Sequence, residues 1–288
     1  MVIPVEPSRR LFLCASLLGL ACRRRAQQAG VAAPGVIAAR RIVSLAPSIT
    51  DTLFALGVGE RVVGVSQLCD LPAAARLPRV GTMVAPSYDA IVALRPEAIV
   101  AVEGPVRDEV IARLRDAGIR AYAPRFETLS DVRAALPTLA TLGGRPDAAA
   151  TLRASIDAGL ARVRAALEGR ARPRVIAVCA QTPLVLAAQS SWVGELLGLA
   201  GGDNPVRGNS AYPIWSVEQV MSQVPEVVID LSGAEPALAA AWAEQRAIPA
   251  VATGRVRRLD GPLGRRQGPR VVDAVRALAG VIHPGVAL

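Results

Sequence analysis

The sequence predicts an α/β protein of two Rossmann-like lobes with mostly parallel sheets, joined by one long rigid α-helix. Three observations carry this. Short apolar runs of β-type residues alternate with helical segments from Arg41 onward, the same order of elements returns after Pro173, and a stretch without any β-type run, Arg145 to Arg170, separates the two halves. The boundaries follow: residues 1–30 form an export signal and linker, 41–144 a first lobe, 145–171 the connecting helix and 172–288 a second lobe.

Arg41-Ile42-Val43-Ser44-Leu45 reads as the first strand. Ser48 is an N-cap, with Asp51 three residues on as the acid of a capping box; the helix runs to Leu56 and stops at Gly57. Arg61-Val62-Val63-Gly64-Val65 is the second strand. A helix starts around Pro86-Ser87-Tyr88-Asp89 and ends before Pro96, and Ala98-Ile99-Val100-Ala101-Val102 is the third strand. Asp108 to Ala117 is an amphipathic helix closed by Gly118, and Ile119 to Ala123 is the fourth strand. Strands alternating with helices imply βα units.

In the connector, Leu152, Ile156, Leu160, Val163 and Leu167 recur at three and four, one helical face, and Pro146 fits a first turn. From Pro146 to Arg170 it would span about 37 Å, enough to join two lobes stiffly. Beyond it, Arg174-Val175-Ile176-Ala177-Val178 is a strand, and Ser191 to Leu199 a helix ending in Gly201-Gly202. The closest repeat follows. Ser87-x-Asp89-x-Ile91 precedes Pro96-Glu97-Ala98-Ile99-Val100, and Ser216-x-Glu218-x-Val220 precedes Pro225-Glu226-Val227-Val228-Ile229, with seven residues from acid to proline in both. Each Ser can cap a helix whose first turn holds the acid, where the helix dipole favours a carboxylate.

The N-terminus reads as an address. Ser8-Arg9-Arg10-Leu11-Phe12-Leu13-Cys14 leads into an apolar run that ends at Ala21. This is the charged n-region and apolar h-region of a signal peptide, too short for a membrane span of about 20 residues. The paired Arg before Leu-Phe-Leu resembles a twin-arginine export signal. Leu18-Gly19-Leu20-Ala21-Cys22 resembles a lipoprotein cleavage box with Cys22 acylated; cleavage within residues 22–33 without a lipid is the other reading.

Composition excludes several functions. The formal charge is +9, all 33 basic residues being Arg, and residues 1–30 hold five Arg against one acid, which leaves +5 for the rest. No basic cluster interleaves with aromatics, so nucleic-acid binding lacks support; Arg255-Val256-Arg257-Arg258 reads as a solvated strand or loop face. The single His, His283, excludes a multi-histidine metal site within one chain and, within the last six residues, reads as solvated. Cys69 and Cys179, in different halves, read as two buried thiols rather than a disulfide. Nine aromatics in 288 residues mean a core of Ala, Val, Leu and Ile.

No Gly-x-Ser-x-Gly elbow, P-loop or HExxH occurs. Gly57-Val58-Gly59 with Gly64 follows a helix and precedes a strand, the reverse of a dinucleotide loop, so these glycines read as a helix stop. No residue set pairs a nucleophile with a base. A binding protein is expected rather than an enzyme, with an exported enzyme or a ligand sensor as rivals.

Five stretches occur in order over about residues 41–280: RRIVSLAPSITDTLFALGVGERVVGVS, CDLPAAARLPRVGT, SYDAIVALRPEAIVAVEG, WSVEQVMSQVPEVVID and GRRQGPRVVDAVRALAG. As a series they resemble the helical-backbone periplasmic binding proteins that serve ABC importers of cobalamin, haem and ferric siderophores. The resemblance implies a ligand held in a shallow interlobe cleft and little closure on binding. It implies an exported solute-binding protein, expected as a monomer, that delivers a corrinoid-like or iron-chelate (siderophore or haem) ligand to the permease. No cofactor is implied beyond Co or Fe in the ligand itself. In members similar to the cobalamin-binding protein, aromatics line the cleft. Those first-lobe positions fall here on Leu68, Met83 and Val102, the second-lobe position on Tyr212 with Trp215 close by, and an Arg of the final loop on Arg266. Only Tyr212 keeps its aromatic character. Otherwise, Leu68 and Val102 cap strand ends, Met83 fills core, and Arg266 pairs with an acid such as Asp260. The resemblance makes Asp89 and Glu218 docking acids for the transporter, one per lobe; the alternative is ordinary first-turn charges.

Overall fold

Val and Ile fill the central strands because helices cover both faces of a parallel sheet. The computed structural model describes residues 35–261 and 266–288, so the expected export signal and Cys22 lie outside the described residues. In the first lobe, β1 (Ile42–Ser44), β2 (Val62–Val65), β3 (Ala98–Val100) and β4 (Arg120–Tyr122) form one parallel sheet in the order β2-β1-β3-β4. Ile42 sits opposite both Val62 and Ala98, and every residue of β1 and β3 is buried. Helices α1 (Pro47–Ala55), α2 (Tyr88–Ala93) and α3 (Asp108–Asp116) connect these strands. Gly57, at φ +70, provides the left-handed residue that ends the turn after α1.

Two helices, not one, lie between the sheets: α4 (Leu129–Leu142) and α5 (Ala148–Ala166). The first is absent from the sequence reading because Pro137 sits in its interior, where proline normally breaks a helix. Its start is nonetheless well specified. Thr128 Oγ1 accepts from Asp131 N at 3.1 Å, and Asp131 Oδ2 accepts from Thr128 N at 3.0 Å. Burial of Leu136 and Leu139 on either side of Pro137 outweighs the lost bond. The connecting helix α5 has 19 residues, about 28 Å, shorter than expected because Pro146 and Asp147 form a turn ahead of it.

In the second lobe, β5 (Val175–Ala180), β6 (Val185–Leu186), β7 (Val227–Asp230) and β8 (Val256–Arg258) take the order β6-β5-β7-β8. The twofold plan is incomplete there: β6 runs antiparallel to β5, as the return of a hairpin. Helices α6 (Trp192–Leu199), α7 (Val217–Ser222), α8 (Leu238–Ala241), α9 (Pro249–Ala252) and α10 (Val271–Ile282) complete the lobe. One continuous apolar cluster crosses from Ile42 and Ile49 through Leu139 on α4 and Ile156 on α5 to Trp192 and Leu278. The lobes therefore share a core. Helix α5 packs on α4 and α10, and Gly159 lets α10 approach: a Cβ there would lie 2.7 Å from Val272 Cγ2.

Two local expectations need correction, and a third only in the burial of Cys179. Ser48 does not cap α1; the cap is Ala46, with Pro47 in the first turn, a position that suits proline. Asp51 is thereby freed from capping and faces the interior. His283 is buried, with Nε2 against Gly201, because the last helix docks onto the shared core. Cys69 is buried and Cys179 half-buried, with no disulfide between them. Ser87 and Ser216 cap α2 and α7 as expected, accepting from Ala90 N and Gln219 N at 3.3 Å each.

Candidate functional site

In open α/β sheets, ligands bind outside the carboxyl ends of the strands, where the chain switches direction across the sheet. In the first lobe that point lies between β1 and β3, in the second between β5 and β7. Leu68 lies in the turn after β2 with 62% of its surface exposed. Met83 sits in the loop before α2, between Gly81 and Pro86, and Val102 two residues beyond β3; both are half-buried against the shared core. All three lie in segments that follow the carboxyl ends of β2 and β3. Met83 and Val102 also pack on the core.

Tyr212 lies in the loop between α6 and α7 with 41% of its surface exposed. Burial of its hydroxyl end, with Cys179 nearby, pushes the phenol above its ordinary value. Trp215 is half-buried. Its backbone N donates to Leu184 O at 2.9 Å and its ring packs on the second-lobe core.

The second lobe adds a feature the sequence reading missed. A depression of about 450 Å³ opens at the carboxyl ends of β5 and β7, lined by Gln181, Thr182, Ser232, Glu235 and Pro236 among others, within the usual range of roughly 300–1,000 Å³ for ligand pockets. Buried Asp230, the last residue of β7, organises its wall. Asp230 Oδ1 accepts from Ser232 Oγ at 2.6 Å and from Ser232 N at 2.9 Å, and Oδ2 accepts from Leu238 N at 3.0 Å. Gln181 Nε2 donates to Ser232 Oγ at 3.1 Å and to Pro236 O at 3.2 Å. Gln181 and Ser232 carry no motif; only their distance past the ends of apolar runs could have indicated them.

Arg266 does not pair with Asp260, which Arg258 holds together with Glu235. It reaches from the second lobe to two acids of the first. Arg266 Nη1 lies 2.5 Å from Asp70 Oδ1 and 3.5 Å from Asp51 Oδ2, and Arg270 Nε lies 3.6 Å from the same Asp51 oxygen. Gly268, at φ +140, takes a backbone conformation that L side chains rarely adopt, where the loop lies beside Ser48 and Thr52 of α1. The Asp51 side chain is 4% exposed, that of Arg266 15% and that of Asp70 52%. Burial pushes the Asp51 carboxyl up against the pull of both arginines, and its Oδ1 has no hydrogen-bond partner among the described residues. The Arg266 hydrogen bond holds Asp70 below the usual carboxylate range. Sequence separation hid this cluster, since Asp70 and Arg266 lie 196 residues apart.

Asp89 and Glu218 are exposed in the first turns of α2 and α7. The Ser216 hydroxyl holds the Glu218 carboxyl below its ordinary value. Among the described residues no group of three or more His, Cys, Asp or Glu is placed to hold a metal ion. No helix among them is long and apolar enough to cross a membrane.

A family model described as periplasmic binding protein matches residues 42–263. A cobalamin-binding protein of Halobacterium salinarum is 32% identical over 258 residues, covering 84% of this chain and 69% of that protein. The crystal structure of the periplasmic vitamin B12 binding protein BtuF of Vibrio cholerae superposes with a TM-score of 0.74 at 27% identity, covering 85% of this chain and 97% of that one. The periplasmic heme-binding protein BhuT, in complex with two hemes, gives 0.75 at 28% identity, covering 84% and 98%.

Proposed function

The chain belongs to the periplasmic binding protein family, and from that premise we propose that it captures a corrinoid-like or iron-chelate ligand between its lobes and delivers it to the permease of an ABC importer. The relatives bind solutes and are not enzymes, which removes the catalytic rival. The observation that carries the reading is the placement of Leu68, Met83 and Val102 at the carboxyl end of one sheet, while the final loop of the other lobe brings Arg266 across to Asp70. Tyr212 and Arg266 supply the second-lobe contacts to the ligand, with Trp215 beside Tyr212 in the same set.

The chain is exported by its twin-arginine segment and acts as a monomer. Cys22 anchors it by a lipid to the outer side of the inner membrane. Radiolabelled palmitate incorporation that is lost in Cys22→Ala supports the anchor; incorporation by neither form removes it. Asp89 and Glu218 dock one lobe each on the permease, where exposed charges set register and association rate. Reversing both to Arg should abolish uptake of the ligand in cells while leaving its binding to the purified chain; unchanged uptake would sink the docking assignment. The reading as a whole is tested by absorbance and mass spectrometry of the compound that co-purifies with the chain: a corrinoid, haem or ferric siderophore supports it, and an unrelated class overturns it.

A further inference from the structure

Arg266, Arg270 and Arg258 each face an acid. Arg266 holds Asp70 and Asp51, and Arg258 holds Glu235 and Asp260. The remaining polar groups of the second-lobe depression are mostly acceptors. Gln181 spends its Nε2 hydrogens on Ser232 and Pro236, which leaves Oε1 free to accept, and the Glu235 carboxylate stands at the rim. Asp51 is fixed, being buried and shared with Arg270. Asp70 is the replaceable partner: half-exposed, in the turn two residues after Leu68, with its oxygen on the Arg266 guanidinium.

We propose that Asp70 is a selectivity residue of the cleft. By occupying Arg266 it withholds the guanidinium from ligand carboxylates, and it favours a corrinoid fringed with neutral amides over a porphyrin bearing two propionates. The proposal rests on the ligand reading above. The chemistry is one of matching. Arg266 meets both acids through Nη1, so a propionate that approached it would meet a guanidinium whose charge is already balanced and would face the negative charges of Asp70 and Asp51. A primary amide brings N–H donors, which Gln181 Oε1 and Glu235 can accept, and carries no charge to repel. Charge-assisted pairs are the strong ones, so an arginine already engaged by a carboxylate is the feature that most separates the two ligand types.

The test measures affinities of the purified full chain for haemin and cyanocobalamin. In Asp70→Asn the ratio of haemin to cyanocobalamin affinity should rise about tenfold, equivalent to about 1.4 kcal/mol. Asp70→Ala should move it the same way, which separates loss of the charge from local rearrangement. The gain should vanish in the double variant Asp70→Asn/Arg266→Gln, and for haemin dimethyl ester, which lacks the carboxylates. An unchanged ratio in both single variants, or a gain that persists in the double variant or with the ester, would overturn the proposal. Failure of every corrinoid, haem and siderophore to bind the unmodified chain would instead refute the transport reading, and the selectivity with it.

Discussion

Gly159 is the point at which the rigidity of the molecule can be tested most sharply. It lies on α5, and a Cβ there would meet Val272 Cγ2 at 2.7 Å and Cγ1 at 2.8 Å. Both distances are too short for carbon atoms in contact. Gly159→Ala gains about 0.5–1 kcal/mol of helix propensity, but crowding a packed interface costs about 1–3 kcal/mol. The net should be a loss of about 1 kcal/mol, or about 2–4 °C in Tm for a chain of this size. Val272→Ala removes both methyl groups. In that background Gly159→Ala should stabilise, by about 0.5–1 kcal/mol, so the sign of one substitution inverts. Urea unfolding of the four proteins, followed by circular dichroism, closes the cycle, with an expected coupling of about 2 kcal/mol. Equal effects of Gly159→Ala in the two backgrounds, or stabilisation in the unmodified chain, would refute the argument that α5 and α10 are locked by this contact.

Two other outcomes follow from the buried charges. His283 is the only histidine, and burial holds its pKa below the ordinary 6.5. Its contribution to stability is then present above that value and lost as pH falls through the depressed folded-state pKa, because the unfolded chain takes up the proton first. Urea midpoints should fall on acidification from pH 7.5, and His283→Leu should flatten that part of the profile; an equal slope in both proteins would contradict the burial argument. Arg266→Met strips Asp70 of its partner and leaves Asp51 only Arg270. It should cost about 2–3 kcal/mol, and an unchanged urea midpoint would show that the interlobe pairs carry no stability.

Much of the fold was readable from local pattern. Val and Ile runs marked the strands, and Ser87 and Ser216 marked helix starts, because strand burial and side-chain capping are properties of a few consecutive residues. The failures share a physical origin. Helix α4 was hidden by Pro137, whose local cost is overcome by burial of Leu136 and Leu139 in a core that sequence alone does not display. Ser48 and Asp51 fitted a capping box, yet Pro47 occupies the first turn and Asp51 answers instead to Arg266, far along the chain. The tail position of His283 suggested solvent, while the packing of α10 on α5 and α6 buries it. At the candidate site, the aliphatic positions and Tyr212 follow from the resemblance. The Asp51–Arg266–Asp70 cluster and the Gln181–Ser232 wall depend on tertiary approach and carried no sequence signal.

The central claim is that the two sheet ends and Arg266 enclose a binding site for one corrinoid-like or iron-chelate molecule. Isothermal titration of the purified chain with cyanocobalamin, cobinamide, haemin and a set of ferric siderophores tests it directly. At least one should bind with one-to-one stoichiometry and a Kd below about 10 μM, or about −7 kcal/mol, and be recovered chemically unchanged. No binding across the whole set, or recovery of a converted product, would contradict it.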